Sequence, residues 1–244
     1  MCTVSFIPTA FGKFIITSNR DERMARQTLP PLEEKIGSSK VTFPKDKEAG
    51  GTWIAAGNRG RICCLLNGAF EKHQRKPFYP KSRGKVVLEA YQHENINDFF
   101  QLVSLQDVES FTLIISDFSY KQRLFEFRWD EKEKHLKELE TDKPHLWSSA
   151  TLYNQQVRNQ RENWFVDWLK NHNQYTAENI FDFHTFSHGE DPTNDVVMNR
   201  HNGLKTVSIT QIEFDSAGFN MHYVDLLENQ KKAITKKINR NLYA

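Results

Sequence analysis

Short apolar runs separated by polar turns pattern the first 70 residues as β-strands. Residues 3–8 (TVSFIP) and 13–19 (KFIITSN) are rich in β-branched and aromatic side chains, and the short Thr9-Ala10-Phe11-Gly12 connection predicts a hairpin. A Pro- and Lys-rich stretch over 30–49 interrupts this pattern and reads as a long surface loop with one short strand at 40–43. Residues 51–57 (GTWIAAG) and 61–67 (RICCLLN), joined by Asn58-Arg59-Gly60, predict a second hairpin. Their nearly continuous apolar character implies a sheet covered on both faces.

The period then lengthens. Ser82 is placed to cap a helix running through Lys85 to His93, and Asn95 opens another across Ile96, Phe99, Phe100 and Val103, spaced close to one helical turn. Residues 111–118 and 122–130 alternate as a further hairpin, and the charged run EKEKHLKELETDK reads as a solvent-facing turn and edge strand. A long helix is predicted over 154–171, with Trp164, Phe165, Trp168 and Leu169 forming a core-packing stripe, and a second over 176–186. Residues 204–214 and 219–227, turning at Ala217-Gly218, predict a final hairpin.

The resulting order is four strands, two helices, two or three strands, two helices and two strands. Blocks of strands and helices, instead of single alternation, predict antiparallel sheets in an α+β protein: two stacked sheets flanked by helices. No repeat or linker divides the sequence, so one domain spanning 1–244 is expected.

Composition narrows the function. Apolar residues make up 38% of the 244, including 18 Phe and 5 Trp, enough to build a sizeable core. Lys and Arg number 33 against 31 Asp and Glu, a net +2 that cannot supply the field needed for non-specific nucleic-acid binding. No long apolar window and no signal-like N-terminal segment is present, so no membrane span and a cytoplasmic location are expected. Oligomeric state is not readable. Cys2, Cys63 and Cys64 have neither disulfide-framework nor zinc-site spacing. His184 and His188 are four apart on a predicted helix but lack the glutamate of an H-E-x-x-H motif, so no metal site is expected. Lys231, Lys232, Lys236, Lys237 and Arg240 read as a solvated tail, with contact to anionic lipid as the alternative.

Three features carry chemistry. Initiator methionine is commonly removed before a small residue, which would leave Cys2 with a free α-amine beside its thiol. Ordinary pKa values of about 7.7–8.0 for the amine and about 8.5 for the thiol let the amine take the thiol proton near neutral pH. The other reading is an incidental small residue at the start of a strand. Arg20 and Asp21 end the strand that pairs with the one following Cys2, where Asp21 would orient the ammonium and Arg20 would hold a carboxylate; a surface ion pair is the plain alternative. Asn67 closes an apolar strand, and its amide with a neighbouring backbone N–H would form an oxyanion hole, although Asn-Gly is also an ordinary turn.

Met1-Cys2, Ser18-Asn19-Arg20-Asp21-Glu22, residues 50–68 and the strand following Arg200 together resemble the NRDE family, which includes the transport and Golgi organization protein 2 group. The resemblance extends to the N-terminal nucleophile hydrolases, including choloylglycine hydrolase and penicillin V acylase, and implies a four-layer αββα fold. In that branch an N-terminal Cys is the nucleophile and an Arg-Asn-x-Asp run lies beside it. Asn19 and Asp21 match this run, while the arginine is displaced to Arg20, on the same strand face as Ser18.

The resemblance thus implies Cys2, Arg20, Asp21 and Asn67 as catalytic residues, with Asn19, Ser149 and Arg200 binding substrate. Ser148-Ser149 offers only hydroxyls where relatives carry a second asparagine. The implied activity is a cofactor-free amidohydrolase or acyltransferase acting on a small amide or acyl substrate. The alternative, which the transport and Golgi organization group brings, is a non-catalytic lipid- or haem-handling protein on the same scaffold.

Overall fold

The computed structural model describes residues 3–10, 12–119 and 121–237. Cys2 and Arg240 lie outside them. The strands are β1 (Thr3–Ala10), β2 (Lys13–Arg23), β3 (Thr28–Ile36), β4 (Ser39–Asp46), β5 (Ile54–Gly57), β6 (Arg61–Asn67), β7 (Phe111–Asp117), β8 (Arg123–Trp129), β9 (Lys134–Leu139), β10 (His145–Ser148), β11 (Leu204–Asp215), β12 (Gly218–Asp225) and β13 (Gln230–Lys237). The helices are α1 (Arg83–Glu89), α2 (Ile96–Leu102), α3 (Gln155–Lys170) and α4 (Ala177–Thr185). One sheet runs β10-β1-β2-β11-β12-β13 and the other β3-β4-β5-β6-β7-β8-β9, with every pairing antiparallel.

Three buried apolar clusters separate four layers. Val4, Phe6, Phe14, Ile16, Ile62, Cys64, Ile114 and Ile212 fill the space between the sheets. Cys63, Leu65, Leu113 and Phe127 pack the other face of the seven-stranded sheet against Val86, Val87, Phe99 and Phe100 of α1 and α2. Ile7 and Ile15 turn outward from the six-stranded sheet to meet Phe165, Ile180 and Phe183 of α3 and α4. Successive side chains on a strand point to opposite faces, so the adjacent Cys63 and Cys64 enter different layers, and the apolar run of β6 is covered on both sides.

Helix ends follow their capping residues. Asn95 accepts from Asn97 N, Asn154 from Val157 N, and Thr176 forms a capping box with Asn179. Ser82 occupies the cap position of α1 without a side-chain cap bond, and that helix ends at Glu89, short of the predicted His93.

Two expectations are corrected. The predicted loop over 30–49 is instead mostly the β3–β4 hairpin, with a register irregularity between Leu29 and Leu32; the short strand expected at 40–43 lies within β4. Pro30 and Pro31 occupy an edge strand, where missing N–H donors cost no central ladder bond. The basic C-terminal run is not simply a tail: Lys231, Lys232, Lys236 and Lys237 lie on β13, another edge strand, and Lys236 pairs with Glu33 at 2.8 Å. Short β10 was also unanticipated; it pairs with β1 from Thr3↔Ser148 to Phe6↔His145.

Candidate active site

The site is built on the end of β2. Thr3 pairs with Asn19, so β1 begins beside the Ser18-Asn19-Arg20-Asp21 run. Strand alternation splits that run between layers. Arg20 lines a cleft of about 280 Å³ at the strand ends, where its Nη2 donates to Asp46 Oδ2 at 3.0 Å and its guanidinium lies 4.5 Å from the Trp53 ring centroid. Burial lowers the Arg20 pKa from its ordinary value, but an arginine retains its charge. Asp46 also meets Arg26 Nε at 2.8 Å and accepts from the backbone N–H groups of Glu48 and Ala49.

Asn67 reaches the same cleft from β6, and its side-chain amide has no hydrogen bond to any described residue. Its carbonyl accepts from Ser149 Oγ at 2.8 Å. Gly68, the next residue, has φ +82° and donates its N–H to Ser110 O. A Cβ there would lie 3.0 Å from Thr151 N, so the backbone turn that places Asn67 requires glycine. Gly51 and Gly84 similarly allow close backbone contact: a Cβ on Gly51 would lie 2.5 Å from Gly84 C. That contact brings the start of α1 against the cleft.

Residues 69–82 form a strap along the cleft, contributing Arg75, Pro77, Phe78, Tyr79, Lys81 and Ser82 to its lining. Arg128 Nη1 donates to Ala69 O, Arg158 Nη1 to Phe70 O, and Tyr79 Oη to Glu131 Oε1, fastening the strap. Arg83 binds Glu109 at 3.2 Å on the cleft wall. Sequence reading missed Asp46, Trp53, Arg83, Glu109 and the strap. Trp53 alone had a local signal, because it falls within the quoted stretch 50–68.

Asp21 faces the other way and does not line this cleft. It is buried beneath the helices, accepting from Tyr153 Oη at 2.7 Å and from Thr206 Oγ1. Asn19 faces the same layer: its Nδ2 donates to His184 O and Val196 O, and its Oδ1 accepts from His184 Nδ1. Neutral His184 completes the arrangement by accepting from Ser5 Oγ on Nε2 at 2.7 Å; burial, followed by the charges of His188 and Arg161, pushes its pKa down to about 3. These partners make Asn19 and His184 a clasp between β2 and α4.

Arg200 is also outside the cleft. Its Nε donates to Thr193 O and its Nη2 to Leu152 O, with the guanidinium 5.4 Å from the Tyr153 centroid. Arg20 and Asn67 are therefore brought together, while Asn19, Asp21 and Arg200 belong to the outer layer and Ser149 supports the backbone of Asn67. Burial raises the pKa of both Cys63 and Cys64 to about 12, keeping these thiols protonated. Among the described residues, no group of three or more His, Cys, Asp or Glu could hold a metal ion, and no helix is long and apolar enough to cross a membrane.

The family model for Transport and Golgi organisation 2 matches residues 1–240. The chain belongs to that family. No curated protein matches it in sequence. Its fold is similar to that of a variant of conjugated bile acid hydrolase from Clostridium perfringens, at TM-score 0.59 and 11% identity over 100% of this chain and 99% of that one. A Caenorhabditis elegans N-acylethanolamine-hydrolyzing acid amidase ortholog gives TM-score 0.57 at 11% identity, covering 86% and 92%. Penicillin V acylase from Agrobacterium tumefaciens gives 0.52 at 10% identity, covering 96% and 86%. At these identities the likeness establishes the N-terminal nucleophile hydrolase-like α+β sandwich of this member of the Transport and Golgi organisation 2 family, with its function argued from the site.

Proposed function

We propose that the protein is an N-terminal cysteine amidohydrolase or acyltransferase acting on a small amide or acyl substrate. The observation that carries this reading is the meeting in one cleft of Arg20 and an Asn67 amide that bonds to no described residue, beside the strand end where Thr3 pairs with Asn19. Cys2 immediately precedes Thr3 in the chain. Removal of Met1 would expose the α-amine. The amine takes the thiol proton, the thiolate attacks the carbonyl, and a thioester forms as the C–N bond breaks; the amine leaving group takes that proton. Water, or an acceptor amine in a transferase, then attacks the thioester and returns the thiol. Asn67 stabilises the oxyanion, and Arg20 orients the substrate or the N-terminal segment. Asp21, which accepts from Tyr153 and Thr206 on the helix side of β2, orients the α-amine.

Intact-mass measurement and incubation with activated esters test this reading. Loss of Met1 and an acyl adduct on Cys2 that forms and then hydrolyses support it; Cys2→Ala should abolish both adduct and turnover. A non-catalytic carrier is favoured by one observation: the Ser149 hydroxyl is already committed to Asn67 O and is not free to serve as a second oxyanion donor. A carrier would bind ligand without forming the adduct, so the same experiment separates the two.

A further inference from the structure

The helix α3 buries two side chains, Arg161 and Phe165. Full burial of an arginine is unusual and carries a large desolvation cost unless its geometry supplies specific compensation. Arg161 Nε donates to Asn194 O at 3.0 Å, Nη2 to Asp195 O, and Nη1 to Thr3 Oγ1. Its guanidinium lies 3.6 Å from the ring centroid of Tyr153, whose hydroxyl binds Asp21. One cation therefore ties α3 and the 194–195 segment to the first described residue of β1 and, through Tyr153, to β2.

We propose that Arg161 is a positioning residue for the N-terminal nucleophile: it fixes the residue following Cys2 through Thr3 Oγ1, and the Asp21 carboxylate through Tyr153. This rests on the Cys2 reading above. All three hydrogen-bond acceptors of Arg161 are carbonyl or hydroxyl oxygens, so its charge is not consumed in a carboxylate pair with them. Among the described residues, its titratable and charged surroundings include Asp21 beyond Tyr153, Arg200 over the same ring, and neutral His184 from α4. Asp195 directs its carboxylate to Ser187 Oγ and to the N–H groups of His188, Gly189 and Val196. A cation held against β1 favours the thiolate over the thiol and the free amine over the ammonium.

The test follows iodoacetamide alkylation of Cys2 against pH, resolved by peptide mass, in the native protein and in folded variants. Thr3→Val removes the acceptor at nearly constant shape and should slow Cys2 alkylation by about tenfold, while Thr3→Ser should return it to within about twofold. Arg161→Gln should move the midpoint of the pH profile upward by at least about half a pH unit, and Arg161→Lys by less. Lower melting temperatures with unchanged alkylation rates and midpoints would overturn the proposal, leaving Arg161 purely structural. If Arg161→Gln does not fold, the Thr3 pair decides. Alkylation needs no substrate, so failure of Cys2 to acylate counts against the enzyme reading, and an unchanged alkylation profile counts against Arg161.

Discussion

Arg20 and Asp21 are consecutive in the chain yet serve opposite layers: Arg20 binds Asp46 on the cleft side, and Asp21 binds Tyr153 beneath the helices. Strand parity imposes this division. A substitution at either residue should therefore disturb a different neighbourhood, and the pair does not act as one surface ion pair.

Removing the Asp46 charge leaves Arg20 buried without its carboxylate and also weakens the contact to Arg26. Asp46→Asn is expected to lower unfolding stability by about 3 kcal/mol, the lower range for breaking a buried pair. A urea titration reads this as a fall in midpoint at constant slope; an unchanged midpoint would show that Arg20 finds another partner.

Asn67→Ala should have the reverse signature. Its amide bonds to no described residue, so the variant should melt within about 1 °C of wild type, within the small range of substitutions that break no defined contact. Acylation of Cys2 should nevertheless slow by about 10²- to 10³-fold if the amide receives the oxyanion. Stopped-flow acylation with an activated ester measures it, and an unaltered rate removes Asn67 from the mechanism.

Gly68→Ala places a Cβ at positive φ against the Thr151 backbone. The expected cost is about 1–2 kcal/mol for the backbone conformation alone, with the crowding adding to it. Because Asn67 must shift with that turn, acylation should slow as well. A variant equal to wild type in both melting and rate would contradict the placement.

His184 makes stability depend on acid. Its folded pKa of about 3 lies below the ordinary histidine value of 6.5, so between these limits the unfolded chain binds the extra proton. Stability attributable to this group is fully present above about pH 6.5 and falls with decreasing pH by about 1.4 kcal/mol per unit until about pH 3. Denaturant titrations across that window should show His184→Gln losing this part of the slope. Equal slopes in the two proteins would mean that His184 titrates normally.

Local sequence carried much of the architecture. β-Branched and aromatic content in TVSFIP and KFIITSN and the apolar run RICCLLN mark strands, and Asn95, Asn154 and Thr176 mark helix starts, because such propensities and caps act over a few residues. The Ser18-Asn19-Arg20-Asp21 run and Asn67-Gly68 were likewise visible as strand ends. Polar β3 and β13 carry little strand signal in the sequence, since edge strands need only one covered side and have a weak apolar signature. Tertiary structure alone decided that Arg20 faces the cleft while Asn19 and Asp21 face the helices. It also brought Asp46, Trp53 and Arg83 to the cleft and buried Arg161 against Thr3, 158 residues away. The sequence determines which residues share a strand face through steric alternation; which layer that face meets depends on distant elements packing together, and such contacts leave no local period to read.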